Sequence, residues 1–325
     1  MSRVVLMLFV LVVGCSRPAA ETAGSGTALQ EVELALNWYP EVEHGGFYAA
    51  QVHGYFEEAG LKVTILPGGP GAPVAQRVAS GGVTFGVDNA DGVLLARAQE
   101  ADVVAVMAAL DTSPRCLMVH EESGIRGFDD LKNVTLAMSE SSGWAKFVQK
   151  TLPLDGVRIV PNPGNVAQFV ADRKFAQQAY VFSEPYVAET EGAKVRSLMV
   201  SELGYDPYTS LLIVNGRTIR AQPELVAKMV TASVRGWRKY LEDAEPANRA
   251  IHRQNPEMGM AILEYGVEAM TPLCITETRP VEQFGTMTAE RWETLLAQLV
   301  DIGEIKRGAV NPRDAFTARF LDADN

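Results

Sequence analysis

From Leu29 to Val214, short apolar runs rich in β-branched residues alternate with stretches whose apolar positions recur every three or four residues. The short runs predict strands at Val32 to Asn37, Lys62 to Leu66, Thr84 to Asp88, Val103 to Ala109, Leu117 to His120, Val134 to Met138, Arg158 to Val160, Ala179 to Phe182, Arg196 to Val200 and Leu211 to Asn215. Helices are predicted between them, at Gly46 to Ala59, Ala72 to Ser80, Asp91 to Gln99, Gly143 to Lys150 and Val166 to Phe175. Alternation of this kind predicts an α/β fold with sheets flanked by helices on both faces. After Gly216 the pattern changes to long amphipathic helices, Pro223 to Leu241 and Thr288 to Leu299 among them, with Pro223 suited to a first turn. The C-terminal region is therefore expected to be helical.

The chain beyond its leader has about 295 residues, which exceeds one typical core and predicts two lobes. Ser113-Pro114 interrupts the pattern between the fourth and fifth strands, and Tyr208 to Gly216 is an apolar return. The expected division is a first lobe from 29–112 plus 213–325, with a second lobe, 113–212, inserted into it. No internal repeat is visible.

Arg3, the apolar run Val4 to Val13, Gly14 and Cys15 form a basic, an apolar and a small-residue region in the order of an export signal. The run is about half the roughly 20 residues that a spanning helix needs. Val12-Val13-Gly14-Cys15 resembles a bacterial lipobox, with Val12 where Leu is more usual. The expectation is a signal peptide over 1–14, lipidation of Cys15, and a Ser/Ala/Gly/Thr-rich tether over 15–28. Acyl chains hold a protein at a bilayer, each buried methylene contributing about 0.8 kcal/mol.

The formal net charge of the whole chain is −11. An acidic body without a basic, aromatic-punctuated run disfavours nucleic acid as a partner. Cys116 and Cys274 lie far apart in apolar settings and are expected as two buried free thiols, with one bridge between them as the alternative in an oxidising compartment. No metal-ligand spacing occurs, so neither a metal nor a cofactor is expected.

The segment richest in chemistry is Asn37-Trp38-Tyr39-Pro40-Glu41-Val42-Glu43-His44-Gly45-Gly46. It follows a strand and opens a helix, the usual ligand position in open α/β sheets. Trp38, Tyr39, Glu41 and His44 are candidate ligand contacts. Alternatively Trp38 and Tyr39 are core and Gly45-Gly46 is a tight turn. Asp88-Asn89 joins a strand to a helix, as a ligand contact or a plain cap. Ser139, Ser141, Ser142, Gly143 and Trp144 bring hydroxyls and backbone N–H groups to a helix start, which suits an anionic or carbonyl group. Glu184 follows an apolar strand and precedes Pro185. It reads as a cleft carboxylate for an amino-substituted ring or as a helix-start carboxylate. Tyr186, with Trp38 and Tyr39, could stack on a planar ring. Gln177 and Gln178 are weaker candidates.

Asn37 to Ala50, continued by Gly54-Tyr55-Phe56-Glu57-Glu58-Ala59-Gly60-Leu61-Lys62-Val63, resembles the opening of ABC-transporter solute-binding proteins of the sulfonate and thiamine-pyrimidine-precursor type. Ser80 to Val87, Phe128 to Lys132 and Val181 to Pro185 extend the resemblance across nearly all of Leu29 to Asn325. It implies a two-lobed clamp of the periplasmic-binding-protein kind, anchored in the cell envelope. Such a clamp, a monomer, would close on a small planar heteroaromatic ligand and deliver it to a permease and its ATPase. Riboflavin or a small anion such as a sulfonate is the alternative ligand. A sensory lipoprotein with the same clamp is a second alternative. A third is an enzyme, because the fungal pyrimidine synthase of thiamine biosynthesis looks similar and carries a histidine comparable to His44. That synthase has a cysteine-rich cluster before the strand written here as Leu211-Leu212-Ile213-Val214. The residues in that place, Gly204-Tyr205-Asp206-Pro207-Tyr208-Thr209, contain no sulfur.

Overall fold

The computed structural model describes residues 28–321. The expected signal peptide, Cys15 and most of the tether lie outside the described residues.

Among the described residues, ten strands form two mixed sheets of five. The first contains β1 (Gln30–Ala35), β2 (Leu61–Leu66), β3 (Phe85–Asp88), β4 (Val103–Leu110) and β10 (Thr209–Asn215), in the order β2-β1-β3-β10-β4. The second contains β5 (Arg115–His120), β6 (Thr135–Ala137), β7 (Arg158–Val160), β8 (Phe175–Tyr180) and β9 (Val195–Met199), in the order β7-β6-β8-β5-β9. In each sheet the fourth strand in that order runs antiparallel to both neighbours. Those two strands, β10 and β5, are the first that the chain makes after crossing from the other sheet. This is the two-lobed clamp with flanking helices expected from the alternating pattern. An expected lobe boundary at 212/213 falls inside β10.

Three apolar clusters fill the layers. One packs a face of the first sheet against helix Pro223–Glu242, with Trp237 and Tyr240 fully buried. Another packs the outer helices of the second sheet, around Phe169 and Phe175. The remaining cluster is shared. It joins Ala105 and Ile213 of the first sheet to Leu117 and Leu136 of the second through Tyr205, Trp292 and Leu299, the last two on helix Ala289–Asp301. The C-terminal helices thus bind the two sheets into one body by the burial of large apolar side chains. Cys116 and Cys274 are buried free thiols in different clusters.

Gly45-Gly46 is not a turn. The pair begins helix Gly45–Val52, which lies directly under helix Pro223–Glu242. A Cβ on Gly46 would stand 2.1 Å from the Trp237 ring, and one on Gly45 equally close to Tyr240. The predicted single helix over 46–59 breaks at Gly54, whose φ of 75° is left-handed, and resumes as Tyr55–Glu58. The predicted helix to Phe175 ends at Ala171, and the predicted strand from Ala179 begins instead at Phe175. Here a polar residue misled the pattern. Gln177 is buried in mid-strand because its Nε2 donates to Asn165 O at 3.0 Å.

Two chain crossings join the lobes, near Asp111–Pro114 and Gly204–Tyr208, and Arg291 fastens them together. Its Nη2 donates to Asp111 O at 2.6 Å, Asp206 O at 2.7 Å and Asp206 Oδ2 at 2.9 Å, and its Nη1 donates to Asp111 Oδ1 at 2.8 Å. Ser113 N–H donates to Asp206 Oδ1 at 2.7 Å. The buried Arg279 holds the end of β4 through Ala108 O and Ala109 O.

Candidate functional site

A cavity of about 290 Å³ lies between the sheets. The first sheet supplies Asn37, Trp38, Glu41 and Glu43 from the segment after β1. The second supplies Arg115 and Cys116 from β5, Gln178, Ala179 and Tyr180 from β8, and Trp144, Asn162, Gly164, Ser183 and Glu184 from helix starts and loops. The placement follows from topology, since loops leaving parallel strands at their carboxyl ends converge at the junction.

The first segment is held by the ring of His44, which is fully buried. Its Nδ1 accepts from Glu41 N–H at 3.4 Å, so the proton sits on Nε2 and is donated to Asn37 Oδ1 at 3.0 Å. Burial pushes the imidazole down to about 3, and it is neutral at physiological pH. Glu43 is 1% exposed, with Oε2 accepting from Ser210 Oγ at 3.3 Å. Desolvation raises it to about 7, against the hydrogen bonds of Ser210 and Asn37 and the charge of Arg115. Burial and the neighbouring Glu43 hold Glu41 well above the usual carboxylate range. Glu184 begins helix Glu184–Thr190 and is raised by desolvation, although its Oε2 accepts from Tyr180 N–H at 2.8 Å.

Arg115 stands opposite. Its Nη1 lies 3.2 Å from Asp91 Oδ2, which also accepts from Tyr205 OH at 3.2 Å. Desolvation opposes its charge, but Tyr180, Asp91, Tyr205 and Glu43 outweigh that and keep the guanidinium protonated. Asp88, at the end of β3, is raised by burial to about 7.

Of the candidate contacts named from the sequence, Trp38, Glu41, Trp144, Glu184 and the weaker candidate Gln178 line the cavity, and the others do not. Tyr39 is exposed and meets Trp38 edge-on at 5.5 Å. His44 lies beneath the wall. Asp88 accepts from Asn89 N–H at 2.7 Å. Asn89 is more than a cap, because its Nδ2 reaches Tyr180 OH at 3.4 Å and its Oδ1 accepts from Ser210 N–H at 3.2 Å, tying the sheets together. Ser142 Oγ turns back to Ser139 O at 2.6 Å, Ser141 is exposed, and Gly143 starts helix Gly143–Thr151 against Leu299. Tyr186 packs on Tyr265 at 5.0 Å, away from the cavity. The lining residues not proposed from sequence as contacts include Glu43, Arg115, Asn162, Gly164 and Tyr180. Asn162-Pro163-Gly164 carries a turn composition after β7 that marks it as a strand-end loop. Nothing local distinguishes Arg115, which begins an apolar strand.

The two acids near 7 make a pH dependence. Each is protonated in the folded chain over a range where it is ionised in the unfolded chain, so its contribution is full below the unfolded value and is lost as pH rises through about 7. His44 acts oppositely, favouring the fold more as pH rises toward 6.5. Above that value only the acids act. From pH 6 to pH 8 the ligand-free protein should therefore lose roughly 2 kcal/mol, since a tenfold change in an ionisation equilibrium is worth about 1.4 kcal/mol. Urea unfolding at the two pH values measures this, and equal midpoints would contradict it.

The chain is 26% identical to the formylaminopyrimidine-binding protein of Halalkalibacterium halodurans over 91% of this chain and 92% of that protein. It is 26% identical to the riboflavin-binding protein of Chloroflexus aurantiacus, covering 97% and 96%. It is also 27% identical to a 4-amino-5-hydroxymethyl-2-methylpyrimidine phosphate synthase of Legionella pneumophila, covering 70% and 74%. Among solved structures, the periplasmic aliphatic sulphonate-binding protein of Escherichia coli superposes with a TM-score of 0.67 at 13% identity, over 88% of this chain and 91% of that one, which shows the periplasmic-binding-protein fold. The profile described as NMT1/THI5 like matches residues 41–247, well over half of the sequence, and the chain belongs to that family.

Proposed function

We propose that the protein is the extracytoplasmic solute-binding component of an ABC importer, and that its ligand is a small planar heteroaromatic compound of the thiamine pyrimidine-precursor kind. The observation that carries this reading is the cavity, lined from both sheets by two indoles and by carboxylate and amide groups. An aromatic face on an indole contributes about 0.5–1.5 kcal/mol beyond area burial, and fixed polar groups at its rim select the ring's substituents. A flavin ring is the second ligand reading, favoured by the likeness to a riboflavin-binding relative. Residues 29–112 plus 213–325 and residues 113–212 would be the two lobes that close on it.

No catalytic step is ascribed to the cavity. The segment before β10 carries no thiol in the place of the synthase cluster, and His44 is neutral, buried and bonded to Asn37 behind the cavity wall. The proposed partners are a permease and its ATPase, and the proposed anchor is lipid on Cys15.

Two measurements test the reading. Titration with an aminopyrimidine such as 4-amino-5-hydroxymethyl-2-methylpyrimidine should quench or shift the fluorescence of Trp38 and Trp144. Tight binding of a simple alkyl sulfonate, with no response to pyrimidines or flavins, would remove it. For the anchor, Cys15→Ser should release the protein from membranes. A variant that still sediments with membranes after a salt wash would show that no lipid at Cys15 holds it.

A further inference from the structure

Acidic side chains outnumber basic ones in the cavity. Glu41, Glu43 and Glu184 line it, with Glu41 6% and Glu43 1% exposed. Asp91 pairs with Arg115, and Asp88 lies within electrostatic reach of both. Arg115 is the basic side chain among the lining residues, and its Nη1 is already engaged with Asp91. Trp38 and Trp144 border the same space, and indole faces attract cations.

We infer that the cavity takes a cation: a planar ring carrying an amidinium, guanidinium or ammonium group, with its N–H edge on the carboxylates of Glu41 and Glu43 and its face against an indole. The inference rests on the binding reading above and narrows its ligand from a heteroaromatic ring in general to a positively charged one. Paired N–H donors of an amidinium match the two oxygens of a carboxylate in a bidentate contact. An anion would instead oppose the ionisation of three acids, with one committed guanidinium to attract it.

Binding of a cation is coupled to protons. The titratable groups around Glu41 and Glu43 are His44 on their own segment, Asp88 on β3, Asp91 on helix Ala90–Ala98, Arg115 and Cys116 on β5, and Tyr180 on β8. Glu184, Tyr205 and Tyr240 complete the set. His44 is neutral, and burial keeps the Cys116 thiol and the phenols protonated. Burial raises Glu43 and Asp88 to about 7, so these two are partly protonated at neutral pH, and it raises Glu41 and Glu184 as well. An arriving cation lowers these values and expels protons. Affinity for a permanently charged ring therefore rises with pH through about 7, by up to about tenfold per pH unit for each proton released.

Benzamidine, benzamide and benzoate share one shape and are cationic, neutral and anionic, and calorimetric titration of the full chain with the three separates charge from fit. Benzamidine should bind at least about tenfold more tightly than either isostere, with heats that vary with the buffer's ionisation enthalpy. Its affinity should fall by about fivefold or more from pH 8 to pH 6. Glu43→Gln should weaken benzamidine by about tenfold and flatten its pH dependence, and a cooperative urea transition of the ligand-free variant shows that it is folded. Equal or tighter binding of benzamide or benzoate, binding of benzamidine without proton release, or no benzamidine binding at millimolar concentration would each overturn the inference. If a neutral aminopyrimidine quenches the tryptophans while benzamidine is inert, the binding function stands and the cation is lost. If benzamidine is selected and neutral heterocycles are inert, the pyrimidine reading fails and the cation stands.

Discussion

Replacing Arg291 with methionine should destabilise the protein by about 3 kcal/mol or more, because it strips a guanidinium from two acids and two carbonyls at once. Asp111 is 7% exposed in its side chain, and Arg291 reaches both its Oδ1 and its main-chain oxygen. The same guanidinium holds Asp206 from the other crossing and lies 4.0 Å from the centre of the Tyr208 ring. Thr276 Oγ1 donates to Asp111 Oδ2 at 2.6 Å and Arg279 Nε lies 3.8 Å from Asp111 Oδ1, contacts that the substitution does not remove, so part of the charge should remain compensated. Arg291→Lys should recover only a fraction, since an ammonium cannot span the fork of acceptors that a planar guanidinium meets. Urea unfolding of the three proteins measures the difference. A midpoint unchanged in Arg291→Met would show that packing by helix Ala289–Asp301 alone joins the crossings.

The second large effect is expected at Glu184. Its Oε2 accepts the Tyr180 N–H, and the carboxyl lines the cavity. Glu184→Gln keeps the shape and leaves the amide oxygen to accept from Tyr180, but it puts an NH₂ donor where a ligand amino group would also donate. A loss of about 1.5–3 kcal/mol in binding follows, about 10- to 150-fold in affinity. The ligand-free protein should lose no stability, because desolvation already disfavours the ionised carboxylate that the amide replaces. Calorimetry of both proteins with one aminopyrimidine decides the matter. Equal affinities would mean that Glu184 serves the helix start and that Glu41 or Glu43 carries the polar contact.

These two positions differ in how visible they are in the sequence. Glu184 is legible because it stands between an apolar run and a proline, both local signals, although β8 itself ends at Tyr180 and Pro185 lies in the first turn of the following helix. Arg291 is one of several charged residues on an amphipathic helix, and its four acceptors lie 85 and 180 positions away in the chain. A side chain whose partners are that distant has no local signature.

The sequence by itself determined the alternation of strands and helices, the helical C-terminal region and the two-lobed class, and it singled out the segment Asn37 to Glu43, which forms one wall of the cavity. The two lobes rest on chain length, and the other features on periodicity, turn chemistry or composition within short stretches of chain. Tertiary structure decided which side chains meet. Folding turned His44 and Tyr186 away from the cavity, put Arg115 of an apolar strand into it, and made Gly45-Gly46 a close approach for Trp237 and Tyr240. It also set the state of the acids. Glu43 is an ordinary glutamate as a sequence letter, and it titrates near 7 because two sheets close over it and remove the water that would have stabilised its charge.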